Sequence, residues 1–287
     1  MKIRLVTQNI DWRAERLNGV TNADWERWAE RELGADLMVL TEAQVRPPRA
    51  FTEAGWTVAC RPGGFPGTSG WGTAIVARGV TIRQFTRVGQ NEQYELDTHF
   101  PGTLVAADVW CRDTYFATII GLHLRYRKNK AKKIISDPLM DIHSMLPDFK
   151  AILADRQAPL IIAGDLNVPL GDLPYEFQTL ATGELALLDP FAQLNPMTFQ
   201  QRDGGARSKL DYIYLSRSLA RKVIVRRGGI NDFPQALALS DHAPLLVEID
   251  TDLTSSICDC GAVLQRPAGN YATKTRCPNC GQVAQYV

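Results

Sequence analysis

The stretch IIAGDLNVP (Ile161–Pro169) begins as an apolar run and then sets an Asp and an Asn two positions apart. In an extended chain residues i and i+2 project to the same side, so Asp165 and Asn167 present a carboxylate and an amide to one shared point. Gly164, just before them, lets another backbone or a ligand approach closely. A strand that simply ends in a polar turn fits the same residues. The other strands therefore decide the reading.

Short apolar, β-branched runs bounded by turn residues recur at IRLVTQNI, LMVLTEA, GTAIVAR, TLVAADVW, YFATIIGLHL, PLIIAGDLN, LDYIYLS and HAPLLVEI. Two segments between them have helical spacing. The first puts Trp25, Trp28, Ala29 and Leu33 on one face, with Thr21 or Asn22 as cap. The second is capped by Asp137, opens at Pro138 and carries Leu139, Ile142, Leu146, Phe149 and Leu153 on an apolar stripe; Pro147 is expected to kink or interrupt it. A shorter helix is expected after Pro174. The alternation points to an α/β fold, a four-layer α/β/β/α sandwich of two mixed sheets, although a single mixed sheet fits the same pattern. Gly63 to Gly72 reads as a surface loop in which Trp71 either anchors the loop or stacks on a base.

The chain has 287 residues, 45% of them hydrophobic, enough for a large core in one sizeable domain with or without an appendage. A formal net charge of +1 provides no global field for a polyanion, so any phosphate binding depends on local clusters. No apolar stretch approaches a membrane span, and MKIRLVTQNI reads as a first strand rather than a secretion signal, so a cytoplasmic protein without membrane partners is expected. Of the six cysteines, Cys60 and Cys111 stand alone in the main body, while Cys258, Cys260, Cys277 and Cys280 crowd into the tail.

Several strands finish in acid, amide or imidazole groups. Asn9 closes RLVTQN, Glu42 ends LMVLTE, His123 sits in TIIGLHL, Asp211 interrupts KLDYIYL, and Asp241 with His242 precedes the last strand. Each alone is an ordinary strand end or a hydrogen-bonded core residue. Buried separately they would leave several costly charges, whereas gathered around a divalent cation and a phosphate they compensate one another.

The order QNI, LTE, GLHL, GDLN, LDYIYLS and SDHAPL resembles the endonuclease/exonuclease/phosphatase superfamily over about residues 1 to 250. The resemblance implies the four-layer sandwich and cleavage of phosphate esters with Mg²⁺ or Mn²⁺. It implies that Glu42 is the principal metal ligand, with Asn9 and Asp241 as further oxygen donors suited to a hard cation. Asp165 would orient or deprotonate the attacking water, and Asn167 would hold that water or a phosphate oxygen. His242 would face the phosphate with Asp211 behind it, and His123 would be a second imidazole donor. Thr41 stands where many members have Gln. Nucleophile motifs of Ser, Cys or Lys and a GK[ST] phosphate loop are absent from the sequence, which argues against covalent catalysis and nucleotide-triphosphate motors.

Directly after His123 comes RYRKNKAKK, six positive charges in nine residues. It emerges from the strand that delivers an imidazole, so Arg125, Arg127 and Lys128 are candidates to track a phosphate backbone. In the tail, sixteen residues separate Cys260 from Cys277, close to the paired-cysteine pattern of a zinc ribbon with a Cys-x-Cys first pair. Such a module has too little core to fold unaided, so its Zn²⁺ is expected to be structural. The expected organisation is a catalytic domain over 1–250, a linker over 251–256 and a zinc-ribbon-like domain over 257–287. The expected function is a metal-dependent phosphodiesterase, most simply a nuclease acting on DNA or RNA. The alternatives are a phosphomonoesterase on a small phosphorylated molecule or lipid headgroup, and a nucleic-acid-binding protein without turnover.

Overall fold

In a computed structural model the apolar runs become strands of two stacked sheets. The structure describes residues 1–11, 19–44, 49–60, 71–89, 92–96, 104–124, 127–128, 134–136, 138–156, 159–169, 187–253, 274–276 and 283–285. The sheet strands, in chain order, are β1 (Lys2–Asn9), β2 (Leu37–Gln44), β3 (Thr57–Cys60), β4 (Trp71–Ala77), β5 (Thr81–Phe85), β6 (Leu104–Cys111), β7 (Thr114–His123), β8 (Leu160–Asp165), β9 (Leu187–Leu188), β10 (Asp211–Ser216), β11 (Val223–Gly228) and β12 (Leu245–Asp250). One six-stranded sheet has the order β11-β12-β1-β2-β4-β3, and the other six-stranded sheet has β9-β10-β8-β7-β6-β5. Each is mixed: β1 runs parallel to β2 and β7 parallel to β8, and the remaining ladders are antiparallel.

Period-two alternation sends one face of each sheet into a shared central layer. Ile3, Leu5, Val39 and Ile75 meet Val105, Ile119, Ile161 and Ile213 there. Removing one such side chain to Ala costs about 2–5 kcal/mol. The outer face of the first sheet is covered by α1 (Asn22–Trp28), which continues as a π-helical turn over Ala29–Leu33. Thr21 caps α1 in a reciprocal box with Asp24, and Gly34 ends it in the left-handed region at φ 54°. Trp25, Trp28, Ala29 and Leu33 all pack inward, as their spacing required. The outer face of the second sheet is covered by α2 (Pro138–Arg156) through Ile142, Met145, Phe149 and Ile152. The four layers are thus helix, sheet, sheet, helix.

Two expectations need correction. Pro147 does not interrupt α2, which is one helix of 19 residues. Pro147 lies on its exposed face, where solvent can satisfy the carbonyl that the missing N–H leaves unbonded. Trp71 and Gly72 belong to β4, paired with Gln44 and Ala43, and not to a loop. The cap Asp137, the helix after Pro174, residues 61–70 and the four tail cysteines lie outside the described residues. In the tail, Lys274–Arg276 and Val283–Gln285 pair antiparallel. No helix among the described residues is long and apolar enough to cross a membrane.

Candidate active site

Because β7 and β8 are parallel and β8 and β10 antiparallel, the register sets His123, Asp165 and Asp211 side by side in one row: Asp165 pairs with both. From the other sheet, Asn9 ends β1 opposite Thr41 of β2. The two sheets close on each other at this end, and Asn9 Nδ2 donates to Asp165 Oδ2 at 2.9 Å. Glu42 follows Thr41 at a register shift in the β2–β4 ladder, with φ 51°. That bulge turns its carboxylate toward the row, where Asn9 Nδ2 is 3.4 Å from Oε1. A non-glycine residue held at positive φ costs of the order of 1–3 kcal/mol, and such strain collects at functional positions.

Asp165 is held on all sides. Asn167, itself at φ 52°, donates its backbone N–H to Oδ1 at 2.8 Å and its amide to Oδ2 at 3.1 Å. Asp165 and Asn167 thus bond to each other through a turn, and not by projecting side by side from an extended strand. Gly164 is obligatory: at φ +145° a Cβ there would lie 1.8 Å from the carbonyl oxygen of Leu122. The close partner it admits is a backbone. Asp165 Oδ2 stands 4.0 Å from His123 Nε2 and 4.0 Å from His242 Nε2.

His242 is held by Asp211 and by further groups to which the sequence reading gave no role. Its Nδ1 lies 2.8 Å from Asp211 Oδ2, its N–H donates to Ser240 Oγ at 3.1 Å, and Phe199 packs on its ring at 5.1 Å between centroids. Thr198 Oγ1 accepts from the N–H groups of Leu210 and Asp211, and Gln8 Nε2 donates to the carbonyls of Asn9 and His242. Asp11, buried at φ 42°, donates its N–H to Asn9 Oδ1 and pairs with Arg202, whose Nε is 3.6 Å from Asp241 Oδ2. Asp11 two places after Asn9 was the one local signal, the same spacing as in GDLN. Thr198, Phe199 and Arg202 had none, because their roles depend on residues distant in the chain.

Burial pushes the Asp165 carboxyl up to about 7, with Asp211 adding to the rise and His242, Asn9 and Asn167 opposing it. Burial works against charge on the His242 ring, but Asp211, Asp165 and Asp241 outweigh it and raise the imidazole to about 10. At neutral pH the site therefore pairs a carboxyl poised near its midpoint with an imidazolium held by Asp211.

The endonuclease/exonuclease/phosphatase family matches residues 17–242, most of the chain. The chain belongs to this family. Its members are generally hydrolases, and they use divalent metals. The fold is similar to the endonuclease domain of TRAS1, a telomere-specific non-LTR retrotransposon, at 18% identity over 87% of this chain and 99% of that one, TM-score 0.58. It is also similar to an AP endonuclease from Archaeoglobus fulgidus at 15% identity over 87% and 100%, TM-score 0.58. Truncated TDP2 from Caenorhabditis elegans matches at 15% over 87% and 97%, TM-score 0.57. No curated protein matches the sequence.

For a family cation two donor sets come into question. Asp165, Asp211 and His242 bring ligand atoms within 4.8 Å of one another. That trio fits less well, because His242 Nδ1 is already committed to Asp211. Glu42 fits better: its carboxylate is partly open at the mouth of the site, and carboxylate oxygen suits a hard cation. Asn9 as oriented gives its amide hydrogens to Glu42 and Asp165 and its oxygen to Asp11, so it organises carboxylates and ligates only if the amide turns over. Asp241 sits on the Arg202 side. His123 Nε2 is 3.9 Å from Glu42 Oε1. Arg125 and the side chains of Arg127 and Lys128 lie outside the described residues, and the backbone of Arg127–Lys128 pairs with Ile134–Ser136.

Proposed function

We propose that the protein is a divalent-metal-dependent phosphodiesterase that hydrolyses nucleic acid. The observation that carries this reading is the placement of Asp165 Oδ2 at 4.0 Å from each of two imidazole nitrogens, one from His123 and one from His242. A carboxyl near 7 is matched to accepting a proton from water at neutral pH. Asn167 and Asn9 fix its oxygens, so the lone pair that receives the proton has a set direction. The His242 imidazolium presents Nε2–H to a phosphate oxygen while Asp211 holds Nδ1, and His123 donates from the other side. Glu42, with Asn9 and Asp241 as further candidates, would hold Mg²⁺ or Mn²⁺, and the chemistry such a cation would supply is neutralisation of the charge that develops on the phosphate. Loss of turnover through a missing member of the set finds no support, since every acid, amide and imidazole is present.

A nucleic-acid substrate is supported by the endonucleases among the structurally similar proteins and by the basic run after His123. Cys258, Cys260, Cys277 and Cys280 bind one structural Zn²⁺ in a module that follows the catalytic domain and its short linker. Incubation with Mg²⁺ or Mn²⁺ against plasmid, single-stranded DNA, RNA, bis(p-nitrophenyl) phosphate and inositol phosphates tests the reading. Metal-dependent diester cleavage is expected. Release of phosphate from monoesters alone would assign the phosphomonoesterase class instead, and inertness towards every substrate would refute both.

A further inference from the structure

Asp211 and Tyr212 are adjacent on β10 and so face opposite sides of the sheet. Asp211 reaches His242 on one side, whereas Tyr212 lies on the other, fully buried in the apolar layer that contains Ile142, Phe149 and Val168. A phenol in such a layer needs a partner for its hydroxyl. Tyr212 Oη donates to the carbonyl oxygen of Val168 at 2.8 Å, and the Lys209 carbonyl is a longer contact at 3.3 Å. With one proton to give, the phenol commits it to Val168. The ring is held as well as the hydroxyl. It stacks on Tyr214 with centroids 5.8 Å apart and planes 8° apart, and the Lys209 ammonium lies 4.8 Å from its centroid. Lys209 is itself buried and paired with Asp189 Oδ2 at 2.6 Å.

Val168 is the residue after Asn167. Asn167 stands at φ 52°, a conformation that a non-glycine residue keeps only when its surroundings impose it. Three bonds pin the chain at this turn. Leu166 N–H donates to the Leu210 carbonyl at 2.9 Å, the Asn167 side-chain amide donates to the Leu124 carbonyl at 2.7 Å, and the Tyr212 phenol grips Val168 on the far side. So pinned, the turn aims the Asn167 N–H and amide at the two oxygens of Asp165, at 2.8 and 3.1 Å. The phenol is the one anchor that comes from a side chain outside the turn, and a single isosteric substitution removes it.

We propose that Tyr212 is a positioning residue for catalysis: its phenol fixes the Asn167 turn and thereby the direction in which Asp165 meets the attacking water. Neighbouring residues of one strand then serve the two halves of the site from opposite faces, Asp211 holding the imidazole and Tyr212 the carboxylate. The inference rests on the phosphodiesterase reading. Tyr212→Phe keeps the ring, its stack and the Lys209 contact and removes only the hydroxyl, whereas Tyr214→Phe removes a hydroxyl two residues farther along β10 from the turn. With bis(p-nitrophenyl) phosphate and saturating Mn²⁺, Tyr212→Phe lowers kcat about tenfold with KM within about twofold, the scale of one buried hydrogen bond lost. Tyr214→Phe leaves both within about twofold. An unchanged kcat in Tyr212→Phe, a change confined to KM, or an equal fall in kcat in the two variants overturns the proposal. If wild type cleaves no diester, it is the phosphodiesterase reading that fails. Amide hydrogen exchange then decides whether the phenol holds the turn: the Asn167 N–H exchanges about tenfold faster in Tyr212→Phe than in wild type, while those of Ile162 and Ala163 in β8 keep their rates. Equal protection of Asn167 in the two proteins, or a uniform loss that includes β8, overturns the proposal.

Discussion

Asp165 and Glu248 are both buried carboxylates on sheet strands, and the protein compensates them in opposite ways. Glu248 faces cations, with Arg4 Nε at 2.8 Å and Lys2 Nζ at 3.4 Å. Burial opposes its charge, but Arg4 and Lys2 more than offset that and hold the carboxyl below its ordinary value. Asp165 faces amides, two imidazoles and another acid, and its carboxyl is pushed up to about 7. One carboxylate is settled by its surroundings; the other is kept ready to change protonation. A buried acid paired with a guanidinium reads as architecture, and a buried acid among acids and imidazoles reads as chemistry.

If that division is right, Asp165→Asn and His242→Ala remove groups whose interactions peak in the transition state, and each lowers single-turnover cleavage of a simple diester by roughly 10²–10⁴-fold. Substrate affinity stays within a few-fold in both. Near-normal turnover in either variant would strike that residue from the mechanism. Glu42→Gln acts on a different quantity, the cation. The Mn²⁺ concentration that gives half-maximal rate is expected to rise about tenfold or more, in line with losing one carboxylate from a site of few ligands. An unchanged Mn²⁺ titration would remove Glu42 from the metal site.

How much of this was legible follows from the same physics. Asn9, Glu42, His123, Asp165, Asp211 and His242 stood out because each breaks or ends an apolar run at a strand end. The four sheet strands that went unread, β3, β5, β9 and β11, are the four edges of the two sheets. An edge strand has a neighbour on one side only and carries exposed charge, as in TIRQF and VIVRRG, so its apolar signal is diluted. Met145 and Ile152 face the core of α2, while Leu146 and Leu153 are only partly buried, a small rotation that the stripe alone did not fix. Arg202 and Thr198 were unreadable for another reason: their partners Asp11 and Asp211 are assigned by tertiary closure and not by spacing.

The tail extends the comparison to a second chemistry. Thiolates select zinc, whereas carboxylate oxygen, the donor proposed at Glu42, favours Mg²⁺ or Mn²⁺, so purified protein is expected to carry one Zn²⁺ that excess Mg²⁺ does not displace. Deleting residues 257–287 is expected to change simple-diester hydrolysis by less than about twofold, because every group assigned to catalysis precedes the cut. Long nucleic acid should bind a few-fold more weakly, with a shallower dependence on salt, because fewer counterions are released. Elemental analysis without zinc, or lost diester hydrolysis in a truncated domain that remains folded, would end this division of labour.

The smallest effects are on stability, and they have opposite signs. The Asp165 carboxyl is raised from 3.8 to about 7 by folding, so its proton favours the folded state fully below pH 3.8, and that contribution is lost as pH rises through 7. Above pH 7 the buried charge is a net cost that Asp165→Asn removes. In metal-free buffer the variant should therefore melt above wild type, by at least the roughly 2–4 °C that one kcal/mol is worth in a chain of this size, with the gap opening between about pH 4 and pH 7 and then levelling. Glu248 is lowered from 4.5 by folding, so its contribution is present above pH 4.5 and is lost as pH falls through the folded value. Glu248→Gln should lower the melting temperature at pH 7 by no more than about 2–4 °C, because partly exposed pairs contribute roughly 1 kcal/mol or less, and the deficit should fade under acid. Melting curves of both variants from pH 4 to pH 8 check the pair together. Two shifts of the same sign at pH 7 would mean that Asp165 is held as firmly as Glu248, and the case for it as the proton acceptor would fall with that result.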